Sequence, residues 1–121
     1  MAAGTVTTDL NVYRSYPLTA ARKVCFTAGT TDLALIPAGQ IKYLLGWRIS
    51  ETAGATAACV LQDSVETIAD VNVDNFGLIT LAAHGQDEVW YGPNGVVLVS
   101  TGLFLHVTSG TVSGVVYFTG G

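Results

Sequence analysis

The side chains that could do acid–base or metal chemistry are few and scattered in this chain of 121 residues. The two histidines are His84, in a turn beside Gly85, and His106, in a strand-like segment. No third ligand accompanies them at the spacing of a zinc site, so we expect ordinary surface or interface histidines, with metal or proton chemistry as the alternative. No nucleophile elbow, phosphate-binding loop or dinucleotide fingerprint occurs. The sequence therefore predicts no catalytic, cofactor-binding or metal-binding residues, and a protein that is not an enzyme.

Acidic residues cluster once, around the polar stretch 64–75. The cluster consists of Asp63, Glu66, Asp70 and Asp74. It lacks the alternating ligand positions and the closing glutamate of an EF-hand, so we expect a solvated loop with one short strand around 67–71, and calcium binding as the alternative. Asp87 and Glu88 are neighbours in a strand-like segment and should point to opposite faces, which is poor geometry for paired-carboxylate catalysis.

Cysteine and aromatic residues favour packing over chemistry. Cys25 and Cys59 are isolated in apolar segments, and free cysteine behaves as a small buried apolar residue. We expect two core thiols, with a disulfide or a metal or redox role as alternatives. Aromatic side chains in strands belong more often to a core or an interface than to a ligand site. The residues that could instead line a sugar-binding platform are Tyr43, Trp47, Trp90 and Tyr91.

Composition places the chain among single-domain proteins with unusually little charge. Half of the residues are hydrophobic, 12% are charged, and the net charge is −4, which does not indicate nucleic-acid binding. Up to Arg48 the chain carries five basic and two acidic residues, and from Ile49 onward seven acidic residues and no basic one. No segment has the pattern of a signal peptide or the length of a membrane span. We therefore expect synthesis in a cytoplasm and a soluble protein.

Hydrophobic periodicity predicts an all-β fold. Alternation is clearest between Ile41 and Ile49, where the odd-numbered residues, including Trp47, should face the core. Turn residues such as the Gly-Pro-Asn-Gly run at 92–95 separate eight or nine short strands at intervals of about 8–12 residues. The sequence predicts an antiparallel β-sandwich of jelly-roll type without helices longer than a turn.

The last quarter of the chain lacks formal charge. No Asp, Glu, Lys or Arg occurs from Val89 to Gly121, although a solvated sheet face normally carries charge. The simplest interpretation is that neighbouring copies of the protein cover part of the outer surface. This pattern favours a subunit of a structural assembly over a lone enzyme.

The N-terminal segment has a different character from the rest. Residues 1–21 are rich in Thr and Ala, so we expect an extended arm ahead of a sandwich domain at 22–121 whose first strand starts at Arg22. Removing such an arm should cost no hydrogen bonds of the sheet. We expect it to dock onto a partner, with a merely disordered tail as the alternative. The candidate partner-binding residues are Tyr13, Arg14, Tyr16, Arg22 and Lys23.

From about Ile41 to Phe118, two segments carry a recurring punctuation of turns and strands. They read LLGWRISETAGATAACVLQD at 44–63 and ITLAAHGQDEVWYGPNGVVLVSTGLFLHVTSGTVSGVVYF at 79–118. This pattern resembles that of a group of small virion proteins of tailed phages. The group has an Ala-Ala-Gly sequence where this chain has Ala82-Ala83-His84-Gly85, so His84 is a departure from the pattern. The resemblance covers about two-thirds of the chain and indicates the fold more specifically than the function.

The resemblance implies a capsid decoration, or cement, protein or a small head accessory protein, commonly jelly-roll-like and often trimeric. On this basis we expect a homo-oligomer, most simply a trimer, that binds the major capsid protein on the outer surface of a phage capsid and stabilises it. Neither nucleic acid nor a membrane is expected as a partner. The alternative function is a receptor- or carbohydrate-binding module of a virion fibre or spike.

Overall fold

The structure, a computed structural model, describes residues 4–15, 18–70, 75–92, 97–98 and 101–120. These residues form ten strands and no helix. The strands are β1 (Val6–Ser15), β2 (Leu18–Gly29), β3 (Leu33–Ile36), β4 (Tyr43–Glu51), β5 (Ala57–Asp63), β6 (Asn75–Leu81), β7 (Gln86–Trp90), β8 (Val97–Leu98), β9 (Leu103–Ser109) and β10 (Val112–Thr119).

The strands form two antiparallel sheets. The larger sheet has the order β1-β2-β10-β4-β7, with β8 paired to β4, and the smaller sheet has the order β3-β9-β5-β6. Except for the hairpins β1–β2 and β5–β6 and the short β8, the chain crosses to the other sheet after each strand. The all-β antiparallel sandwich expected from the sequence is confirmed.

One hydrophobic core lies between the inner faces of the two sheets. Every second residue of a strand points inward, and the inward residues of both sheets pack into a single cluster. Its members include the aromatic side chains of Phe26, Trp47 and Phe118 and the fully buried Leu61 and Leu105. The core position predicted for Trp47 is confirmed, since its side chain is 3% exposed. Its indole Nε1–H donates a hydrogen bond of 2.8 Å to Asp87 Oδ2, which satisfies the polar atom of this buried side chain.

A β-bulge changes the predicted alternation at the start of β4. Gly46 pairs with Tyr117 of β10, but Leu44 pairs with the next residue, Phe118, so Leu45 is the extra residue. Leu44 therefore belongs to the core cluster, while Leu45 is buried outside it. The predicted inward orientation is wrong for Tyr43 and Leu45, because the bulge reverses the parity of the strand.

The N-terminal residues belong to the larger sheet. Strand β1 pairs antiparallel with β2, with register partners from Val6–Phe26 to Ser15–Leu18. The expected start of the first strand at Arg22 is wrong, because β2 begins at Leu18. The expectation that loss of residues 1–21 removes no sheet hydrogen bonds is also wrong, since β1 covers one edge of β2.

Replacing Trp47 by alanine should destabilise the domain far more than the same replacement at Trp90. Loss of a buried tryptophan costs about 3–5 kcal/mol of unfolding free energy. Trp90 is 56% exposed, so we expect a loss of about 1 kcal/mol or less there. Urea denaturation followed by circular dichroism measures both changes. A midpoint for Trp47→Ala equal to that of the native protein would contradict the core assignment.

Candidate partner-binding surface

The outer face of the larger sheet carries a row of residues that differs from the rest of the sandwich. Val24 and Phe26 of β2 face the core, so Lys23 between β1 and β10 faces outward. Lys23 pairs with Tyr117 of β10, Tyr117 with Gly46 of β4, and Gly46 with Trp90 of β7. The register thus aligns a lysine, a tyrosine, a glycine and a tryptophan across four strands.

The two aromatic side chains of this row meet above the glycine. The ring centroids of Trp90 and Tyr117 lie 6.3 Å apart in an edge-to-face arrangement with an interplanar angle of 85°. Their side chains are 56% and 36% exposed. A Cβ at position 46 would lie 2.2 Å from the carbonyl oxygen of Val89 and 3.1 Å from Cε3 of Trp90. Glycine is therefore required for the indole to lean over β4 and for β4 to pair with β7.

Charged residues flank the aromatic pair. In the adjacent row, Cys25 pairs with Val115, Val115 with Arg48, and Arg48 with Glu88. Arg48 and Glu88 are exposed, and Cys25 and Val115 are half-buried. We name the surface formed by Trp90, Tyr117, Val115, Cys25, Lys23, Arg48 and Glu88 the aromatic face. Its apolar centre and charged rim are the anatomy of a protein interface.

The aromatic residues considered for a sugar platform do not form one exposed surface. Tyr91 packs half-buried against the core, with its ring centroid 6.0 Å from that of Trp47 and an interplanar angle of 73°. Burial raises the pKa of the Tyr91 phenol. Only Trp90 of the two tryptophans remains available to a ligand, and its aromatic neighbour is Tyr117, which the sequence did not single out.

The partner-binding residues predicted from the sequence do not lie on one surface. Tyr13 and Arg14 lie in the edge strand β1, where Tyr13 pairs with Ala21. Tyr16 lies outside the described residues. Lys23 and Arg22 are neighbours in β2 and therefore belong to opposite faces, with Lys23 on the aromatic face.

Arg22 lies on the inner side, at the end of the sandwich. It pairs with Phe118, and its Nη1 is 2.7 Å from the position that a Cβ on Gly120 would occupy. Its Nε is buried and has no hydrogen-bond partner among the described residues. Arg22 therefore does not contribute to the surface that carries Lys23.

The carboxylate of Asp32, directly before β3, contacts strand β9 and the loop after β5. It accepts hydrogen bonds from the Val107 amide at 2.8 Å and from Thr67 Oγ1, and its Oδ2 lies 2.9 Å from His106 Nδ1. Burial acts to raise the pKa of Asp32, but the hydrogen bonds from Thr67, Val107 and His106 outweigh it and hold the pKa below the usual range of an aspartate. His106 is thus an anchored residue rather than an unpaired surface histidine.

The Asp32–His106 pair borders an open depression of about 840 Å³ lined mainly by threonine, serine and glycine. A carboxylate that orients a histidine supplies two members of a nucleophile–base–orienter set. The Asp32 carboxylate also stabilises the fold, because it links the start of β3 to β9 and to the loop after β5. Among the described residues, no three His, Cys, Asp or Glu side chains group around a possible metal position.

The acidic loop at 63–70 is attached to the sandwich and contains no strand in its described part, contrary to the short strand expected around 67–71. Asp63 Oδ1 accepts hydrogen bonds from the amides of Thr101 and Gly102 at 2.7 and 3.3 Å. The buried Gln62 side chain donates to the Ile68 carbonyl at 2.9 Å and accepts from its amide at 3.3 Å. Asp74 lies outside the described residues.

The cysteines occupy different sheets and are both free thiols. Cys59 is a core residue as predicted, and burial, together with the negative charge of Asp87, raises the pKa of its thiol to about 12. Cys25 is half-buried on the aromatic face, so its assignment to the core is wrong. The cause is the parity of β2, which turns Val24 and Phe26 inward.

Glu51 organises the opposite end of β4, and sequence analysis did not identify it. Its side chain is 3% exposed. Its oxygens accept hydrogen bonds from the amides of Ala53 at 2.7 Å, Gly54 at 2.8 Å and His84 at 2.9 Å. His84 has a positive φ of 58°, and the carboxylate fixes this turn against the one after β4. The sequence feature that could have indicated this role of Glu51 is its position as a single glutamate directly before a turn of small residues.

Comparisons of the chain with protein-family models, curated proteins and solved structures find no match. The described part of the chain contains no helix with the length and apolar character needed to cross a membrane.

The pH dependence of stability should reveal Glu51. The His84 amide, with those of Ala53 and Gly54, outweighs desolvation and lowers the pKa of Glu51 from 4.5 to about 2. The carboxylate's contribution is fully present above pH 4.5 and is lost as the pH falls towards about 2. Glu51→Gln should therefore be less stable than the native protein at pH 7, and this difference should shrink on acidification.

Thermal melts of both proteins between pH 7 and pH 2 measure the difference. Glu66→Gln, at an exposed position outside the aromatic face, is the control and should leave the difference from the native protein the same at every pH. Parallel profiles for native protein and Glu51→Gln would contradict this role of the carboxylate.

Proposed function

We propose that this protein is a virion structural protein that decorates the outer surface of a phage capsid as a homo-oligomer and stabilises the shell. The aromatic face carries the proposal. Exposed Trp90 and Tyr117 lie on a regular sheet with a charged rim, and large exposed apolar side chains grouped in this way mark interaction surfaces. The type of assembly follows from the resemblance of residues 41–118 to small virion proteins of tailed phages.

We also infer that the sandwich is a jelly roll. With β1 and β8 set aside, the sheet orders β2-β10-β4-β7 and β3-β9-β5-β6 place the first strand beside the last and the second beside the second-last. Eight strands wound in this way between two sheets are the arrangement of that fold. The hairpin partner β1 then extends the larger sheet by one strand at its edge.

The proposed mechanism is mechanical. A decoration subunit that spans a junction between shell subunits buries additional apolar surface, at about 25 cal/mol per Å², and so raises the free energy needed to separate them. Repetition over the lattice adds avidity, because each copy engages several major capsid protein subunits. Such a subunit needs a rigid scaffold, which the continuous core between the sheets supplies.

The N-terminal hairpin is the proposed contact with the major capsid protein. Strand β1 is an edge strand of the larger sheet, and edge strands present unpaired backbone groups to a partner. The sequence places Tyr13, Arg14 and Tyr16 at positions 13–16, and β1 pairs with the strand that carries Lys23. Arg22 is not part of this proposed contact, because it lies on the inner side of β2.

Rebinding to depleted particles tests the capsid role. Phage particles that lack this protein are incubated with the purified native chain or with Arg14→Glu, and occupancy and the temperature of capsid rupture are measured. We expect saturable binding of the native chain with a higher rupture temperature, and reduced occupancy for the charge reversal. Lys42→Glu, an exposed position outside the hairpin, is the matched control. Absence of binding to the shell would overturn the proposal.

A receptor- or carbohydrate-binding module of a fibre or spike is the second candidate. The specific observation in its favour is the half-exposed indole of Trp90, since burial of this side chain would have counted against a sugar platform. Gln86, Glu88 and Arg48 are exposed polar side chains on the same face and strands. The separation of Tyr91 from Trp90 counts against it, because one indole offers less stacking surface than a platform of several rings.

Tryptophan fluorescence separates the two candidates. Trp47 is buried and Trp90 is exposed, so a glycan that stacks on the protein would change only the emission of Trp90. We expect no saturable change on titration with a panel of bacterial surface glycans, in the presence or absence of calcium. A saturable change that is abolished in Trp90→Phe would favour the receptor-binding module instead.

A further inference from the structure

The outer face of the smaller sheet carries two large apolar side chains that are hidden from solvent. Leu61 and Leu105 face the core, so Val60 of β5 and Phe104 of β9 point to the opposite, outer face. Val60 is nevertheless only 2% exposed and Phe104 only 8%. The larger sheet cannot cover them, because it packs against the inner face. We name these two residues the apolar floor.

The acidic loop provides the cover. Thr67 donates a hydrogen bond to Asp32, which lies directly before β3, and Ile68 exchanges two hydrogen bonds with the side chain of Gln62 in β5. Strand β9 lies between β3 and β5 in the smaller sheet. A loop that is bonded on both sides of β9 crosses the outer face above this strand, and it therefore lies over the apolar floor.

The loop itself contributes little buried surface. Ser64 is buried, and its amide donates to the carbonyl of Gly102 at 3.2 Å, which fixes the loop where it leaves β5. Of the residues from Val65 to Asp70, Ile68 is half-buried and the others are exposed. Segments with few buried apolar contacts open locally at a much lower free energy than the unfolding of a whole domain.

We propose that the acidic loop is a lid that opens and closes over the apolar floor while the sandwich stays folded, with the hydrogen bond from Thr67 to Asp32 as its latch. Asp32 suits this role because other contacts hold it in place. Its carboxylate accepts the Val107 amide at 2.8 Å and lies 2.9 Å from His106 Nδ1. Neither contact involves the loop, so Thr67 can leave and return to a fixed acceptor.

Opening of the lid would expose a larger apolar patch. Val60 pairs with Leu78 of the edge strand β6, whose side chain is 57% exposed. Phe104 is the diagonal neighbour of Val60 on β9, since Val60 pairs with His106. The three apolar side chains would then adjoin, and grouped exposed apolar side chains mark interaction surfaces. The lid thus determines how much of this surface the chain presents, a property that does not depend on the proposed function.

Native-state hydrogen exchange followed by NMR tests the lid in the unmodified protein. The amide of Ile68, which donates to Gln62 Oε1 at 3.3 Å, reports opening of the lid. The amide of Val116, in a strand paired on both sides, reports unfolding of the domain. We expect Ile68 to be protected but to exchange faster than Val116, and with little dependence on low urea concentrations, because local opening exposes little surface.

Removal of the latch should increase opening. Thr67→Val keeps the shape of the side chain but lacks the hydroxyl that donates to Asp32. We expect exchange of Ile68 to become about 10-fold faster or more, as for loss of a hydrogen bond to a charged group, with an unchanged circular dichroism spectrum. Thr67→Ser retains the hydroxyl and should exchange as the native protein does. Thr52→Val, at an exposed position after β4, is the matched control.

A thiol placed in the apolar floor tests whether the lid covers it. Val60→Cys introduces this thiol, in a chain whose half-buried Cys25 is replaced by serine. The buried Cys59 serves as the internal reference for a thiol that only unfolding exposes. We expect Ellman's reagent to modify the introduced thiol faster than Cys59, and about 10-fold faster again when Thr67→Val is added.

Four results would overturn the inference. The first is an Ile68 amide that shares the rate and the urea dependence of Val116, and the second is an Ile68 amide that exchanges as fast as in an unstructured peptide. The third is an equal Ile68 rate in the native protein and in Thr67→Val. The fourth is an introduced thiol that reacts no faster than Cys59 or is unaffected by Thr67→Val.

Discussion

The packing of two sheets around Trp47 determines the rest of this molecule. Side chains of a strand alternate between its faces, so the burial of Trp47, Val24 and Val116 also decides which neighbours point outward. Lys23, Tyr117 and Trp90 therefore point to the outer face. A one-residue slip of β7 against β4 would exchange Trp90 for Val89 on that face. The aromatic face is thus a direct consequence of the core.

Much of the fold was predictable because the period of two is a local signal. The alternation around Trp47 and the turns between strands gave the all-β sandwich and the core position of the indole. The bulge at Leu45 escaped prediction, since an extra residue in one strand is visible only against its partner β10. Strand β1 was not predicted either, because its sequence lacks a clear alternation and its place in the sheet depends on pairing with β2.

The candidate surface was predictable only in part. Lys23 was predicted to bind a partner because of its charge. Only the position of β2 in the sheet shows that Lys23 faces outward and Arg22 inward. Tyr117 and Trp90 lie far apart in the sequence and are joined through Gly46, which no local pattern reveals. The same holds for Glu51 with His84 and for Asp32 with His106, where a single carboxylate joins segments that are distant in the chain. Pairing of this kind depends on tertiary structure.

A three-dimensional reconstruction of the native virion tests the assignment as a decoration protein most directly. The account predicts density for this sandwich at repeated positions on the outer surface of the capsid. It also predicts that the N-terminal hairpin lies against the shell and that a neighbouring subunit covers Trp90 and Tyr117. A shell without this density, or density at the tip of a fibre with Trp90 turned to solvent, would contradict it.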